Sequence, residues 1–346
     1  DIAAAAGVSP STVSRTCKDS PSISRDTKER IRRIMAQMGY EPNFEAEPSE
    51  AFSKTIGIIL PSSQRDVYEN AFHLEIIRGI GQFCNQRRYV NTVITGEDDA
   101  EVLDAAKELK IVVRAGAGYD NVDLAAATAH GVCVMNTPGQ NSNAVAELVF
   151  GLLVYAVRNF YNGTSGTELM GKKLGIHAYG NVGRNVARVA KGFGMDIYAY
   201  DAFCPKEVIE KDGVKAVDSA DELYSACDVV SLHIPATAET KNSINYALVN
   251  KMPKGGVLVN TARKEVINEA ELIQLMEERG DLKYMTDIMP AAHETFAAKF
   301  VGRYFSTPKK MGAQTAEANI NAGIAAAQQI VGFLKDGCEK FRVNKK

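Results

Sequence analysis

The stretch with the most chemistry in its spacing is "KKLGIHAYGNVGRNVARVAKGFGMDIYAYD". An apolar run over residues 173–178 feeds a tight turn and a helix that starts near Asn181, and a second strand over 196–200 ends on Asp201. The turn carries Ala178, Gly180 and Gly183 at dinucleotide-fingerprint spacing. Gly180 lets a pyrophosphate approach the backbone, and Gly183 lets the helix pack on the strand. The helix start, Asn181, Val182 and Gly183, supplies amide donors and the positive end of a dipole. Ala178 fills the first glycine slot and adds only a methyl, so the turn should tolerate it. Asp201 lies eighteen residues beyond Gly183. It can accept hydrogen bonds from a ribose diol and would repel a 2′-phosphate, which favours NAD over NADP.

A second glycine-rich turn, "KIVVRAGAGYDNVD", follows another buried strand. Gly116 and Gly118 let the backbone come close to a small anion. Near the N-terminus, "DIAAAAGVSPSTVSR" reads as two short helices across a turn at Gly7, with Ser9 as a cap and Pro10 in the first turn. Ser24 can cap a third helix that ends at Gly39. Residues 1–40 hold seven cations against four anions in a chain whose net charge is −2. Such a local excess suits phosphate, whereas the whole molecule is no electrostatic nucleic-acid binder.

Two resemblances follow from these motifs. "DIAAAAGVSPSTVSR…MGYEPN" resembles the helix-turn-helix headpiece of the LacI family of repressors. That resemblance implies DNA binding, with Pro10, Ser11 and Arg15 facing bases and Thr12 and Ser14 near phosphates. The hinge departs from the family: "YEPNFEAEPSEAF" places Glu47 where an arginine belongs, Pro48 breaks the turn, and Glu41, Glu45 and Glu50 add repulsion. "KTIGIILPSSQRDVYENAFHLEIIRGIGQFCNQRRYVNTVITGEDD" resembles the opening β-α-β unit of the same family's effector domain.

From about Val102 onward, "AGAGYDN", "NTPGQN", "CDVVSLHIPATAETKNSI", "MPKGGVLVNTARKEVINEAEL" and "STPKKMGAQTAEANINAG" together resemble the D-isomer-specific 2-hydroxyacid dehydrogenases, nearest their short phosphoglycerate dehydrogenases. The resemblance implies NAD-dependent oxidation of 3-phosphoglycerate to 3-phosphohydroxypyruvate, for serine synthesis. It implies Arg263 as the catalytic arginine, whose planar fork suits a carboxylate and a carbonyl together. Lys309 stands where most members carry a histidine, and Lys310 could hold a phosphate or take the same role. The acidic partner of that histidine should fall at Ala292. Arg114, Ala115, Gly116 and Ala117 match a backbone cradle for the substrate carboxylate. His233, Pro235, Thr261, Ala262 and Asp287 match positions that line NAD. His73, His130 and His177 carry no motif and read as structural. The helix after "NTPGQN" implies a homodimer built through the NAD-binding domain, and no serine-sensing domain is expected beyond "KFRVNKK".

These residues need positioning by alternating strands and helices. The expected fold class is α/β: a Rossmann NAD-binding domain over 138–311 and a smaller, hybrid flavodoxin-like domain over 55–137 with 312–346. A small all-α headpiece over 1–44 and a degenerate hinge over 45–54 precede them. A length of 346 residues suits two or three domains. The hybrid domain has about one βα unit fewer than usual before its glycine loop, which should leave a strand edge open. "ITGEDDAEVLDAAKELK" is the seam between the two resemblances. It reads as a helix with Asp98 and Glu101 as a capping pair and Val102, Ala106 and Leu109 on one face.

Six scattered cysteines without metal spacing point to reduced thiols and no metal. No signal peptide is recognised, and the most apolar stretch, residues 144–157, contains Glu147 and is too short to span a bilayer. The expected location is the cytoplasm, with no membrane partner. Three functions remain open: a dehydrogenase carrying a headpiece, a DNA-binding regulator whose body senses NAD(H) and dimerises, and a chimera without full activity.

Overall fold

The computed structural model describes residues 2–17, 20, 22–38, 55–61, 71–96, 103, 105–119 and 122–345. The hinge, with Glu41, Glu45, Glu47, Pro48 and Glu50, lies outside them, as do Asp98, Glu101 and Val102 of the seam. The chain divides into two compact units, Asp1–Thr55 with Arg88–Val90, and Ile56–Arg87 with Asn91–Lys346.

Among its described residues, the first unit holds three helices: α1 (Ile2–Ala5), α2 (Pro10–Cys17) and α3 (Arg25–Gln37). Ser9 caps α2, its Oγ accepting from Thr12 N at 3.2 Å. Ala6, Ile31 and Met35 form a small core, joined by Val8, Val13 and Ile34. With three buried side chains, this core is small.

The second unit opens with β1 (Thr55–Pro61), α4 (Ala71–Arg87) and β2 (Val90–Gly96). β3 (Ile111–Arg114), α5 (Leu124–Ala129), β4 (Cys133–Asn136) and α6 (Ser142–Val157) follow. β1 pairs with β2, and β3 pairs in parallel with β4, as two separate two-stranded sheets. The seam differs from expectation. Leu103 and Ala105 are helical, but Leu109 N bonds Ala106 O at 2.9 Å, so the chain turns there instead of continuing the helix. Leu103 is buried and packs with Ala127, Val132 and Val134, with Leu109 partly buried against the same cluster.

The remaining strands are β5 (Lys173–His177), β6 (Asp196–Tyr200), β7 (Lys215–Ala216), β8 (Val229–Leu232), β9 (Val257–Asn260), β10 (Lys283–Thr286) and β11 (Tyr304–Ser306). They form one sheet in the order β11-β10-β9-β8-β5-β6-β7, parallel throughout. Both faces are covered, so the strands read as continuous apolar runs. Val257 and Val259 enter one core and Leu258 the other. Successive side chains point to opposite faces, which sorts them this way.

α7 (Asn181–Gly192) follows β5, and four short helices come next: α8 (Lys206–Lys211), α9 (Ala220–Ala226), α10 (Tyr246–Val249) and, after β9, α11 (Glu269–Glu278). α12 (His293–Lys299) precedes β11, and α13 (Ala316–Asp336) closes the order. As expected, α13 returns to the smaller region, where it packs along α4 and β3. A Cβ on Gly323 would stand 2.3 Å from Ile76 O, and one on Gly79 2.2 Å from Ile320 O. Two glycines facing opposite backbones therefore set how closely the helices cross. The tail then runs beside β4: Asn344 Oδ1 accepts from Val134 N, and its Nδ2 donates to Val132 O, both at 2.9 Å. Among the described residues, no helix is long and apolar enough to cross a membrane.

Candidate functional site

The strand order reverses direction between β5 and β8, which opens a crevice at the carboxyl ends of the strands. Nearly every residue singled out for the cofactor or the chemistry sits at such an end. Ala178 to Gly183 follow β5, His233 and Pro235 follow β8, Thr261 to Arg263 follow β9, Asp287 follows β10, and Lys309 and Lys310 follow β11.

The β5 turn is built tightly. A Cβ on Gly183 would stand 2.4 Å from Ala178 O and 3.0 Å from Ile176 Cγ2, so the helix rests directly on the strand. A Cβ on Gly180 would meet nothing within 4 Å, which leaves its surroundings open to a ligand. Ala178 differs from expectation. Its φ is 81°, a left-handed conformation in which alanine is strained, so its cost lies in the backbone and not in a narrower turn. Asp201 holds this turn: Oδ2 accepts from Tyr179 N at 2.6 Å, and Oδ1 from Phe203 N and Cys204 N. Asn181 reaches across to Gly139, where an added Cβ would lie 3.4 Å from its Nδ2.

At β9, Asn260 shapes the turn that presents Arg263. Its Nδ2 donates to Arg263 O and its Oδ1 accepts from Ala262 N, each at 3.0 Å. Arg263 Nη1 donates to Ala262 O at 2.9 Å. At β10, Asp287 is fully buried, and its Oδ2 accepts from Gly312 N at 2.6 Å. Burial raises its carboxyl above the usual range, while the Gly312 amide and the charge of Lys310 pull it back down. Thr307 Oγ1 donates to Lys309 O at 2.7 Å, and both lysines are exposed.

Burial pushes His233 down to about 3, so it is neutral at physiological pH, with Nε2 at 3.0 Å from Ser231 Oγ. His177 is buried beside Tyr224 and reaches its hydroxyl at 3.3 Å. On the smaller region, the Arg114 guanidinium folds over Gly116, where a Cβ would stand 1.3 Å from Nη1. Gly116 N is engaged by Arg114 O at 2.9 Å, and Asn136 Nδ2 donates to Ala117 O at 2.7 Å. Ala115 is half-buried at the head of this turn.

Three buried polar atoms lack a protein partner at these strand ends: Thr137 Oγ1, Thr261 Oγ1 and Asp287 Oδ1. Buried polar groups are normally paired, so the open atoms of Thr261 and Asp287, after β9 and β10 of the large sheet, fit a ligand with matching groups, while Thr137 follows β4 of the smaller region. Together with the open space at Gly180 and the seated Gly183, they fit a dinucleotide. Sequence reading missed Asn260, Thr137 and Thr307. The first had a signal, an Asn at the end of an apolar run where a side-chain-stabilised turn begins. The two threonines had none. Among the described residues, no group of three or more His, Cys, Asp or Glu is placed to hold a metal.

Residues 155–302 match the family described as "D-isomer specific 2-hydroxyacid dehydrogenase, NAD binding domain". A hydroxypyruvate reductase of Thermotoga maritima is 35% identical over 248 residues, covering 67% of this chain and 79% of that protein. The chain belongs to the D-isomer specific 2-hydroxyacid dehydrogenases. Residues 155–302 are thus a dehydrogenase NAD-binding domain. A D-3-phosphoglycerate dehydrogenase of Methanocaldococcus jannaschii is 36% identical over 265 residues, 70% of this chain and 49% of that protein. The chain spans about half the length of that curated relative. A crystal structure of NAD+-bound 3-phosphoglycerate dehydrogenase from Entamoeba histolytica is 40% identical with a TM-score of 0.72, covering 85% of this chain and 99% of that one. Residues 1–43 match a second family, "Bacterial regulatory proteins, lacI family". In that segment Pro10, Ser11, Ser14 and Arg15 are exposed on α2, whereas Thr12 is half-buried with its hydroxyl 2.9 Å from Ser9 Oγ.

Proposed function

We propose that this chain is an NAD-dependent dehydrogenase of D-2-hydroxy acids, with 3-phosphoglycerate and 3-phosphohydroxypyruvate as its substrate pair. The observation that carries the reading is the convergence of Gly180, Arg263, buried Asp287 and the lysine pair on one strand edge, beside unpartnered Thr261 and Asp287 atoms. The names of the relatives from Methanocaldococcus jannaschii and Entamoeba histolytica support the substrate.

Gly180 to Gly183 hold the pyrophosphate, Asp201 faces the ribose, and His233, Pro235, Thr261, Ala262 and Asp287 line the nicotinamide end. NAD supplies a two-electron acceptor for the hydride leaving C2. Arg263 holds the carboxylate and draws electron density toward the C2 oxygen. The turn from Arg114 to Ala117 completes the carboxylate cradle. A lysine takes the hydroxyl proton as the carbonyl forms. Lys309, which stands where most members carry a histidine, takes that role, and Lys310, whose charge reaches buried Asp287, is left to hold the phosphate. An ammonium must lose its proton before it can act as a base, so oxidation of the hydroxy acid should rise with pH.

The organisation we propose has four parts: headpiece over 1–44, hinge over 45–54, substrate-side domain over 55–137 with 312–346, and NAD-binding domain over 138–311. A homodimer through the NAD-binding domain is supported by an apolar surface of Leu148, Leu152, Tyr155, Phe305 and Met311. Free cysteines suit the reducing cytoplasm.

NADH absorbance should fall when purified protein meets 3-phosphohydroxypyruvate. A flat trace alongside measurable NADH binding would reject the enzyme and favour the sensor or the inactive chimera. The lacI-family match and the exposed face of α2 support a second reading, a DNA-binding regulator. Gel shifts against random duplexes, with and without NADH, test it, and recovery of no preferred sequence would remove it.

A further inference from the structure

Glu269 belongs neither to the cofactor turn nor to the lysine pair, yet both of its carboxylate oxygens are engaged at the site. Oε1 accepts from Ala291 N at 2.9 Å and Oε2 from Ala292 N at 2.7 Å. Glu269 is the first residue of α11, on the segment that follows Arg263. It is not needed as that helix's cap, because Asn268 Oδ1 accepts from Glu271 N. Ala291 and Ala292 end the loop that leaves the sheet at Asp287. One carboxylate therefore joins the segment carrying Arg263 to the segment carrying Asp287.

The segment is anchored on its other side without Glu269. Ile244 N donates to Val266 O at 3.0 Å, Asn268 N donates to Ile244 O at 2.9 Å, and Leu272, Leu275 and Met276 are buried. Losing the carboxylate should free the loop relative to the arginine without unfolding either. Position 292 is also where the family resemblance asks for an acid and this chain has alanine. A carboxylate reaches that backbone from a different element.

We propose that Glu269 is a positioning residue that fixes the spacing between Arg263 and Asp287. It thereby sets the spacing between the group that holds a 2-oxo acid and the carboxylate at the nicotinamide end. The proposal rests on the dehydrogenase reading. A misplacement of about 1 Å at a reacting centre can cost roughly 100-fold in rate, so a clamp of this kind should be visible in turnover.

The test compares Glu269→Ala and Glu269→Gln with the wild-type full chain. Cofactor binding is read from the fluorescence of NADH itself. Oxamate, an unreactive 2-oxo-acid analogue, is then titrated into the NADH complex, and kcat and KM are measured with 3-phosphohydroxypyruvate. For Glu269→Ala the NADH Kd should stay within about 2-fold, while oxamate affinity and kcat/KM fall roughly 10- to 100-fold. Glu269→Gln keeps one acceptor oxygen and should fall between. Parallel losses in NADH affinity, melting temperature and turnover would make Glu269 merely structural and overturn the proposal. An active wild type with an unaffected Glu269→Ala would overturn it alone. A wild type that binds NADH but neither turns over nor binds oxamate would overturn the dehydrogenase reading and this proposal with it.

Discussion

Residues 173–306 fold into one parallel sheet of seven strands, whereas the four strands among the described residues of 55–136 form two separate pairs. In the larger region each strand has apolar neighbours above and below, and two buried clusters cover the two faces. In the smaller region stability comes from elements that return from far along the chain. α13 crosses α4 through Gly79 and Gly323, and the tail places Asn344 on β4. The larger sheet is therefore held by its own strands and the two clusters that cover them, and the smaller region by its closing helix. The proposed chemistry follows the same division, since the proposed cofactor residues lie on the sheet edge and the proposed carboxylate cradle lies on the β3 turn.

The largest expected effect separates the two regions by function. Arg263→Ala should lower kcat/KM by roughly 100- to 1,000-fold, as removal of one positioned donor does elsewhere. NADH binding, measured by fluorescence, should be unchanged, because Arg263 bonds only its own turn among the described contacts. Equal loss of NADH affinity would mean that the arginine supports the cofactor fold, and the proposed role would fail.

Glycine substitutions should break the regions independently. Gly183→Ala forces a methyl to 2.4 Å from Ala178 O, and Gly323→Ala forces one to 2.3 Å from Ile76 O. Overpacking against backbone typically costs about 1–3 kcal/mol. Gly183→Ala should raise the NADH Kd at least about 10-fold, since the helix start moves. Gly323→Ala should leave that Kd alone while urea unfolding acquires an early phase from the smaller region. A single unshifted transition with intact turnover would show that α4 and α13 are not the critical closure.

Acid should also distinguish them. Arg279 donates to Asp281 Oδ2 at 2.6 Å and holds the carboxyl down to about 2. A depressed carboxyl stabilises the fold above its normal range and loses that contribution as pH falls from about 4 to about 2. Asp281→Asn should cost on the order of 1–2 kcal/mol at pH 7, and wild type and variant should converge near pH 2. Asn344, the corresponding tie in the smaller region, is uncharged, so the cost of Asn344→Ala should not vary with pH over that interval. Parallel pH profiles for the two variants would remove the distinction.

The sequence was most readable where a rule of backbone geometry forces the residue. Gly180, Gly183 and Asp201 stand at the turn, helix start and strand end that their spacing predicts. Arg263 was legible from its motif, but not the Asn260 side chain that aims it, because that contact depends on three-dimensional turn geometry. The seam departs from its helical spacing at Ala106, where the chain turns, although Leu109 still packs against the cluster that buries Leu103. Glu269 was invisible for a different reason. Its partners, the Ala291 and Ala292 amides, are backbone groups that no side-chain pattern records.

The smallest expected effect concerns a residue that spacing alone made look harmless. Ala178 sits at φ 81° in the turn that starts the cofactor site. A left-handed alanine costs roughly 1–2 kcal/mol, and glycine there gives back about 0.5–1 kcal/mol through its freer unfolded chain. Ala178→Gly should therefore stabilise the larger region by about 0.5 kcal/mol on balance. Urea midpoints should rise slightly while the phase from the smaller region stays fixed. If the variant is less stable, the methyl is held by favourable packing that offsets its strain. The partly buried contact of Ala178 with the core that contains Leu223 and Leu232 would then be the place to look.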